Sequence, residues 1–81
     1  MKTIIVDVRT EAEFKFDGHA ECSVNCPLNK IESYVDNLRQ FEKVVLVCKS
    51  GSRAGIARII LLQSGILNIE NLGAWQNVSC N

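Results

Sequence analysis

The chain lacks an excess of charge: nine basic residues balance nine acidic ones, and the formal net charge at pH 7 is zero. Nucleic acids and anionic membrane surfaces attract proteins through a basic field, which this composition does not provide. No apolar run approaches the roughly 18 residues that cross a bilayer. We therefore expect neither a nucleic acid nor a membrane as a partner, and any selectivity for a charged ligand must be local.

Internal repeats, low-complexity stretches and Gly/Ser-rich linkers are missing as well, and the length of 81 residues leaves no room for a second domain. The sequence predicts a single domain over residues 1–81. It begins directly with an apolar strand and carries no pattern of a secretory signal. We therefore expect a cytoplasmic, reducing location, in which cysteines stay free.

Histidine is scarce: His19 is the one histidine, and no acid or amide partner is placed beside it by a recognisable pattern. A Cys–His protease is therefore excluded. Cys22 and Cys26 form one short pair with no second Cys or His pair, so we expect no metal site. No Cys-x-x-Cys, Gly-x-Gly-x-x-Gly or Gly-x-x-x-x-Gly-Lys motif occurs, which argues against thioredoxin-type chemistry and against a nucleotide cofactor. No cofactor is expected.

Two of the three cysteines outside the motif discussed below, Cys26 and Cys80, receive simple interpretations. For Cys26 we expect burial as a small hydrophobic side chain, a common state of a free cysteine. Cys80 lies in the C-terminal tail, where we expect a mobile, exposed thiol.

Apolar and β-branched runs alternate with helical patterns along the chain. The predicted strands are 3–8, 22–26, 43–48 and 68–72, and the predicted helices are 11–16, 29–38 and 54–63. This order indicates a doubly wound parallel sheet of about four strands with helices on both faces, in which the third strand lies beside the first. The last helix is apolar almost all round and is predicted to be the most buried, with Gly65 just after its end.

Cys48 ends the third predicted strand and begins a short loop before a helix. The loop holds one glycine, two serines and two cations, in the run Cys48-Lys49-Ser50-Gly51-Ser52-Arg53. Backbone N–H groups of a tight loop and a helix start favour an anion, and the two cations add to that field. A thiol in such a place loses its proton below the usual value of about 8.5. Cys48 is therefore a candidate nucleophile.

Several short motifs occur in one order along the chain. These are Ile4-Ile5-Val6-Asp7-Val8-Arg9, Glu13-Phe14, Gly18-His19, the six-residue cysteine loop, and Leu72-Gly73-Ala74-Trp75. In order and spacing they resemble a single-domain rhodanese, a thiosulfate sulfurtransferase-like enzyme. The resemblance covers about residues 3–75.

The resemblance implies that Cys48 carries a persulfide sulfur taken from thiosulfate or a similar anionic donor. Cyanide or a thiol, including a protein thiol such as that of thioredoxin, would accept it. The N–H groups of Ser50, Gly51, Ser52 and Arg53 would surround the sulfur, while Lys49 and the Arg53 side chain would attract the donor. One set of fixed donors can stabilise thiolate, persulfide and thiosulfate alike, since all are anions.

Asp7 and Arg9 match the Asp-Val-Arg element of that family, and we expect a supporting role for them. Arg9 is predicted to pair with Glu13 and so to hold the first loop against the cysteine loop. Members of the family usually carry a further strand and helix before this element, so four strands are expected here where others have five, with one more exposed sheet edge.

Two other functions remain open. Phosphatases and arsenate reductases of related fold use a cysteine loop one residue longer, and position 54, where their arginine would stand, is Ala54. A rhodanese-like module that binds a partner without chemistry is the second alternative, although such modules usually lack the cysteine.

Overall fold

The computed structural model describes residues 2–80 as one four-stranded parallel sheet flanked by short helices. The strands are β1 (Thr3–Asp7), β2 (Ser23–Asn25), β3 (Lys43–Cys48) and β4 (Ile69–Ala74). The α-helices are α1 (Glu11–Phe16), α2 (Val35–Leu38) and α3 (Ser52–Gln63), and two 3₁₀ helices cover Leu28–Tyr34 and Trp75–Asn77. The predicted class, a small parallel α/β sheet of four strands, is confirmed.

The strand order is β2-β1-β3-β4, with every pair parallel. The third strand therefore lies beside the first, as predicted. Asp7 pairs with Val47, and the Val8 N–H donates to the Val47 carbonyl at 2.9 Å, so Val8 lies next to Cys48 at the following register position. The two central strands thus bring their carboxyl ends together, where parallel sheets hold ligands.

The main core lies on one face of the sheet, where α3 packs against β3 and β4 and the first 3₁₀ helix packs against α3. Alternate strand residues point into it because successive side chains of a strand face opposite ways. The buried side chains include Val6, Val8, Val44, Leu46, Cys48, Ile31, Leu38, Ala54, Ala57 and Leu61. The cysteine thus belongs to the same face as α3.

The predicted burial of α3 is wrong for its outer side. Ile56 is 51% exposed and Ile59 is 56% exposed, while Ala54, Ala57 and Leu61 are buried. The helix lies across one face of the sheet, and no layer covers its other side among residues 2–80. Its end is as predicted, since Gly65 follows it with φ +89°, a conformation that favours glycine.

Two further expectations need correction. The second predicted helix is mostly a 3₁₀ helix, with only the four residues of α2 in α-helical form, and Pro27 precedes it without a side-chain cap. Cys80 is not a free thiol in a mobile tail, because it forms a disulfide with Cys22. The two residues are exposed and 58 positions apart in sequence. Their Cα atoms lie 5.6 Å apart, a normal distance for this bond.

Candidate active site

Cys48 is the last residue of β3, a central strand of the sheet. It has no exposed surface. Its Sγ faces the loop that follows, where the Gly51 N–H donates to the sulfur at 2.9 Å. The loop residues 49–51 are followed at once by α3, so the sulfur also lies at the N-terminal end of that helix. The thiol therefore lies at the strand-to-helix junction predicted from the sequence.

The environment lowers the pKa of the Cys48 thiol. Burial opposes ionisation, but the backbone N–H groups of Ala54, Ser50, Gly51 and Arg53 outweigh it by hydrogen bonding to the sulfur. The donors Ser50, Gly51 and Arg53 were predicted from the loop, whereas the predicted Ser52 N–H is not among the groups that lower this pKa. The Ala54 N–H was missed, because the residue type gives no sign that its backbone turns toward the sulfur.

The other free thiol among residues 2–80 behaves in the opposite way. Cys26 is 4% exposed, and burial raises its pKa to about 11. No loop donors offset the loss of water there. Burial of Cys26 as a small hydrophobic side chain is therefore confirmed. Cys26 and Cys48 are both buried, but their pKa values are shifted in opposite directions.

Gly51 shapes the cysteine loop through its backbone. Its φ is +103°, and a Cβ at this position would stand 3.3 Å from the Cα of Gly73. The Asn71 side chain fixes the same residue, because its Nδ2 donates to the Gly51 carbonyl at 3.0 Å. Asn71 Oδ1 in turn accepts the Gly73 N–H at 2.9 Å. β4 thus holds the turn that aims the Gly51 N–H at the sulfur.

The Arg53 side chain is bound to Glu13 of α1. Its Nη1 and Nη2 donate to the two carboxylate oxygens at 2.6 and 3.0 Å. The same carboxylate accepts the Thr10 N–H, and the Thr10 hydroxyl accepts the Glu13 N–H, so the two residues form a capping box. Hydrogen bonds from Arg53, followed by those from Thr10, lower the pKa of Glu13 to about 2. The cap of α1 is therefore also the anchor of the cysteine loop.

The predicted Arg9–Glu13 pair is wrong. Arg9 forms a two-pronged pair with Asp7, with Nε to Oδ1 at 2.9 Å and Nη2 to Oδ2 at 2.7 Å. Both residues are fully buried, and a buried carboxylate without a partner is strongly unfavourable, so the nearer arginine is taken by Asp7. Arg9 also donates to the Gly18 carbonyl at 2.7 Å and lies 5.0 Å from the ring centre of Trp75.

The remaining predicted residues lie on the outer side of the loop. Lys49, Ser50 and Ser52 are exposed, and the two serine hydroxyls are 3.2 Å apart. His19 is exposed and stacks on Phe14, whose carbonyl lies 2.6 Å from Nδ1. The structure therefore places His19 in a local turn contact, outside the sulfur's immediate surroundings.

A cleft that the sequence did not reveal opens beside the cysteine loop. It has a volume of about 380 Å³ and is lined by Val8, Thr10, Pro27, Leu28, Asn29 and Arg53. We call it the side cleft. Pro27 directly precedes the first 3₁₀ helix, Leu28 begins it, and Val8 is the register neighbour of Cys48, so the cleft lies at the same end of the sheet as the sulfur.

Residues 2–80 contain neither a metal-binding group nor a helix that could span a membrane. No group of three or more His, Cys, Asp or Glu side chains is arranged to hold a metal ion there. Within the same residues, every helix is too short or too polar to cross a membrane.

Comparison with known proteins gives a consistent result. A curated protein of Schizosaccharomyces pombe, "Putative thiosulfate sulfurtransferase, mitochondrial", is 37% identical over 87 aligned positions that cover 90% of this chain. The chain spans 61% of the length of that relative. An E. coli rhodanese solved with anions has a TM-score of 0.81 at 22% identity, over 98% of this chain and 94% of that one, which shows the fold.

A third similar protein comes from Rhodopseudomonas palustris and is described as a protein of unknown function and a possible tyrosine phosphatase. It has a TM-score of 0.76 at 26% identity, over 93% of this chain and 66% of that one. The model of the rhodanese-like domain matches residues 1–79, nearly the whole sequence. This chain belongs to the rhodanese-like domain family.

Proposed function

We propose that this protein is a sulfurtransferase that carries sulfane sulfur on Cys48. The donor is thiosulfate or a similar small anion, and the acceptor is cyanide or a thiol, including a protein thiol such as that of thioredoxin. The observation that carries the proposal is the set of four backbone N–H groups around the Cys48 sulfur, which lowers the pKa of the thiol. Membership of the rhodanese-like family and the name of the yeast relative support it.

The reaction takes place in two steps. The Cys48 thiolate attacks the outer sulfur of thiosulfate, forming a new S–S bond while the old one breaks and its electron pair leaves with sulfite. Cyanide or a thiolate then attacks the outer sulfur of the persulfide, giving thiocyanate or a new persulfide and returning the Cys48 thiolate. Charge balances in each step, and no other redox partner is needed.

The loop suits both resting forms of the enzyme. Thiolate and persulfide each carry one negative charge close to Sγ, and the same fixed N–H donors stabilise both without rearrangement. The Arg53 guanidinium contributes less net charge than its type suggests, because Glu13 already binds it. Lys49, which is exposed at the start of the loop, and the loop amides supply the rest of the positive field.

Access to the sulfur requires local movement. Cys48 has no exposed surface in this structure, so a donor reaches Sγ only when neighbouring side chains shift. Arg53 is half-buried and lines the side cleft, so a shift of this side chain would break its pair with Glu13.

The alternative functions differ in what Cys48 would hold. The likeness to a possible tyrosine phosphatase keeps ester hydrolysis as a second candidate. Against it, the cysteine and arginine are separated by a loop one residue shorter than phosphatases of related fold use. A binding module without chemistry would not need four N–H groups aimed at a thiol.

Intact mass spectrometry after incubation with thiosulfate tests the proposal. We expect the chain to gain the mass of one sulfur atom and to lose it when cyanide or a thiol is added. Cys48→Ser should gain nothing, whereas Cys26→Ser, which removes the other buried thiol, should still gain it. Hydrolysis of a phosphate ester with no sulfur gain would favour the phosphatase. Absence of both sulfur gain and ester hydrolysis would favour a binding module.

A further inference from the structure

The edge strand β4 contains a bulge beside the cysteine loop. Asn71 pairs with Leu46 and Gly73 pairs with Val47, so Leu72 is an extra residue in β4. Paired residues of neighbouring strands face the same side of a sheet, and Asn71 therefore points, like Leu46, to the side of α3. Bulges near active sites commonly re-aim a side chain. Here the side chain concerned reaches the turn that starts α3.

The Asn71 side chain joins this bulge to the cysteine loop. Its Oδ1 accepts the Gly73 N–H at 2.9 Å within β4, and its Nδ2 donates to the Gly51 carbonyl at 3.0 Å. The same carbonyl accepts the Gly55 N–H at 2.9 Å, which is the first hydrogen bond of α3. Because both ends of the Asn71 amide are bound, the side chain cannot turn away from the loop without losing two hydrogen bonds.

The carbonyl that Asn71 binds belongs to the peptide between Gly51 and Ser52. The N–H groups of Gly51 and Arg53, on either side of this peptide, bond to the Cys48 sulfur. The N–H and C=O of a trans peptide point in opposite directions, so a flip would turn the carbonyl oxygen to the side on which the sulfur lies. Glycine permits such a flip, because it occupies both halves of φ/ψ space. An oxygen turned this way would repel a thiolate or a persulfide.

We propose that Asn71 is a positioning residue of the sulfur site, which holds the Gly51–Ser52 peptide so that the neighbouring N–H groups stay aimed at Cys48. It acts through the backbone and not on the sulfur itself. The proposal deepens the proposed function, on which its consequence for sulfur transfer rests. The two chemical steps are unchanged, and what Asn71 supplies is the orientation of the donors that stabilise the anion.

A neutral substitution of Asn71 leaves the charges of the sulfur site in place. These charged groups are Lys49, Arg53, its partner Glu13 and the buried Asp7. A change in the ionisation of Cys48 would therefore report the backbone donors. Asn77 offers a matched control, because it is also exposed and its Nδ2 donates to the Leu72 carbonyl at 3.0 Å. It thus binds the same bulge, from the 3₁₀ helix that follows β4.

The experiment measures the pH at which Cys48 reaches half its maximal rate of alkylation by iodoacetamide. The variants are Asn71→Leu, which keeps the size of the side chain, Asn71→Ala, which shortens it, and Asn77→Leu. We expect the midpoint to rise by about half to one pH unit in both Asn71 variants, the effect of weakening one hydrogen bond to a charged group. In Asn77→Leu it should stay as in the wild type. The unfolding temperature is measured alongside, because a merely structural role would lower it without moving the midpoint.

The outcomes separate the two proposals. An unchanged midpoint in both Asn71 variants would refute the positioning role, whatever their stability. An equal rise in Asn77→Leu would also refute it, because loosening of the bulge alone would then explain the shift. The midpoint is measured without a sulfur donor. No sulfur gain from thiosulfate in the wild type would therefore refute the proposed function, while a midpoint raised in the Asn71 variants alone would still support the role of Asn71.

Discussion

Glu13 and Arg53, forty residues apart in sequence, form a two-pronged ion pair between the first helix and the cysteine loop. The Glu13 carboxylate also accepts the Thr10 N–H at the start of α1. One carboxylate thus caps α1 and binds Arg53, the last residue of the cysteine loop. The position of the loop depends on both contacts.

Glu13→Gln tests the charge in this contact while keeping a residue that can cap the helix. Because the native pKa is about 2 and the ordinary value is 4.5, the pair stabilises the fold above pH 4.5 and is lost as pH falls toward 2. Wild type should therefore lose more unfolding free energy than Glu13→Gln between these pH values. The pair is partly exposed, so we expect a difference of at most about 1 kcal/mol.

Urea unfolding at a series of pH values measures this effect. Asp36→Asn is a suitable control, since that carboxylate is exposed and lies 3.8 Å from Arg39 on the surface. If the unfolding free energy fell with pH as steeply in Glu13→Gln as in wild type, the Glu13–Arg53 contact would not persist in solution.

Gly51→Ala should damage both the fold and the sulfur site. A side chain at φ +103° is strained, and the new Cβ would press on the Gly73 backbone, so we expect a loss of about 1–3 kcal/mol. Persulfide formation should fall as well, because the Gly51 N–H would turn away from Sγ. Thermal unfolding and the thiosulfate mass assay measure the two effects.

Gly55→Ala is the matched control for that substitution. Gly55 lies inside α3 without a positive φ, and a Cβ there meets only the Asn71 side chain at 3.6 Å. Alanine should stabilise this helix by about 0.5–1 kcal/mol. If both alanine variants behaved alike, the special geometry assigned to Gly51 would be incorrect.

The Cys22–Cys80 disulfide should contribute strongly to stability. It joins residues 58 positions apart and so restricts the unfolded chain, which the chain-entropy relation values at about 4 kcal/mol. Cys80→Ser, or a dithiol reductant, should lower the unfolding free energy by about that amount. The Cys22→Ser/Cys80→Ser double variant should match the single variant. Insensitivity of the unfolding midpoint to reductant would show that the bond is not formed in solution.

The sequence predicted the centre of the sheet well. The bounds of β3 at Lys43–Cys48 follow from a continuous apolar and β-branched run, and the position of β3 beside β1 follows from the alternation of strands and helices. The cysteine loop was recognisable because its glycine, serines and cations are unusual beside a buried strand. Local sequence therefore located the nucleophile.

The errors concern contacts that the local sequence leaves open. Arg9 had two acidic neighbours within reach, and only the fold shows that Asp7 is buried and takes it. The pairing of Cys80 with Cys22 depends on the path of the C-terminal tail, and no sequence pattern in the tail predicts that path. Leu28 gave no signal of a cleft, because a half-buried leucine at a helix start looks like any core residue. These features depend on tertiary packing, which periodicity and spacing do not encode.

The central claim is that backbone N–H groups hold Cys48 as a thiolate, and the pH dependence of its alkylation tests this most directly. Peptide mapping after brief iodoacetamide treatment separates Cys48 from Cys26, whose pKa is raised to about 11 and which serves as the internal control. We predict that Cys48 reaches half its maximal rate below the ordinary thiol value of about 8.5 while Cys26 remains unmodified. A midpoint for Cys48 at or above that value would contradict the account.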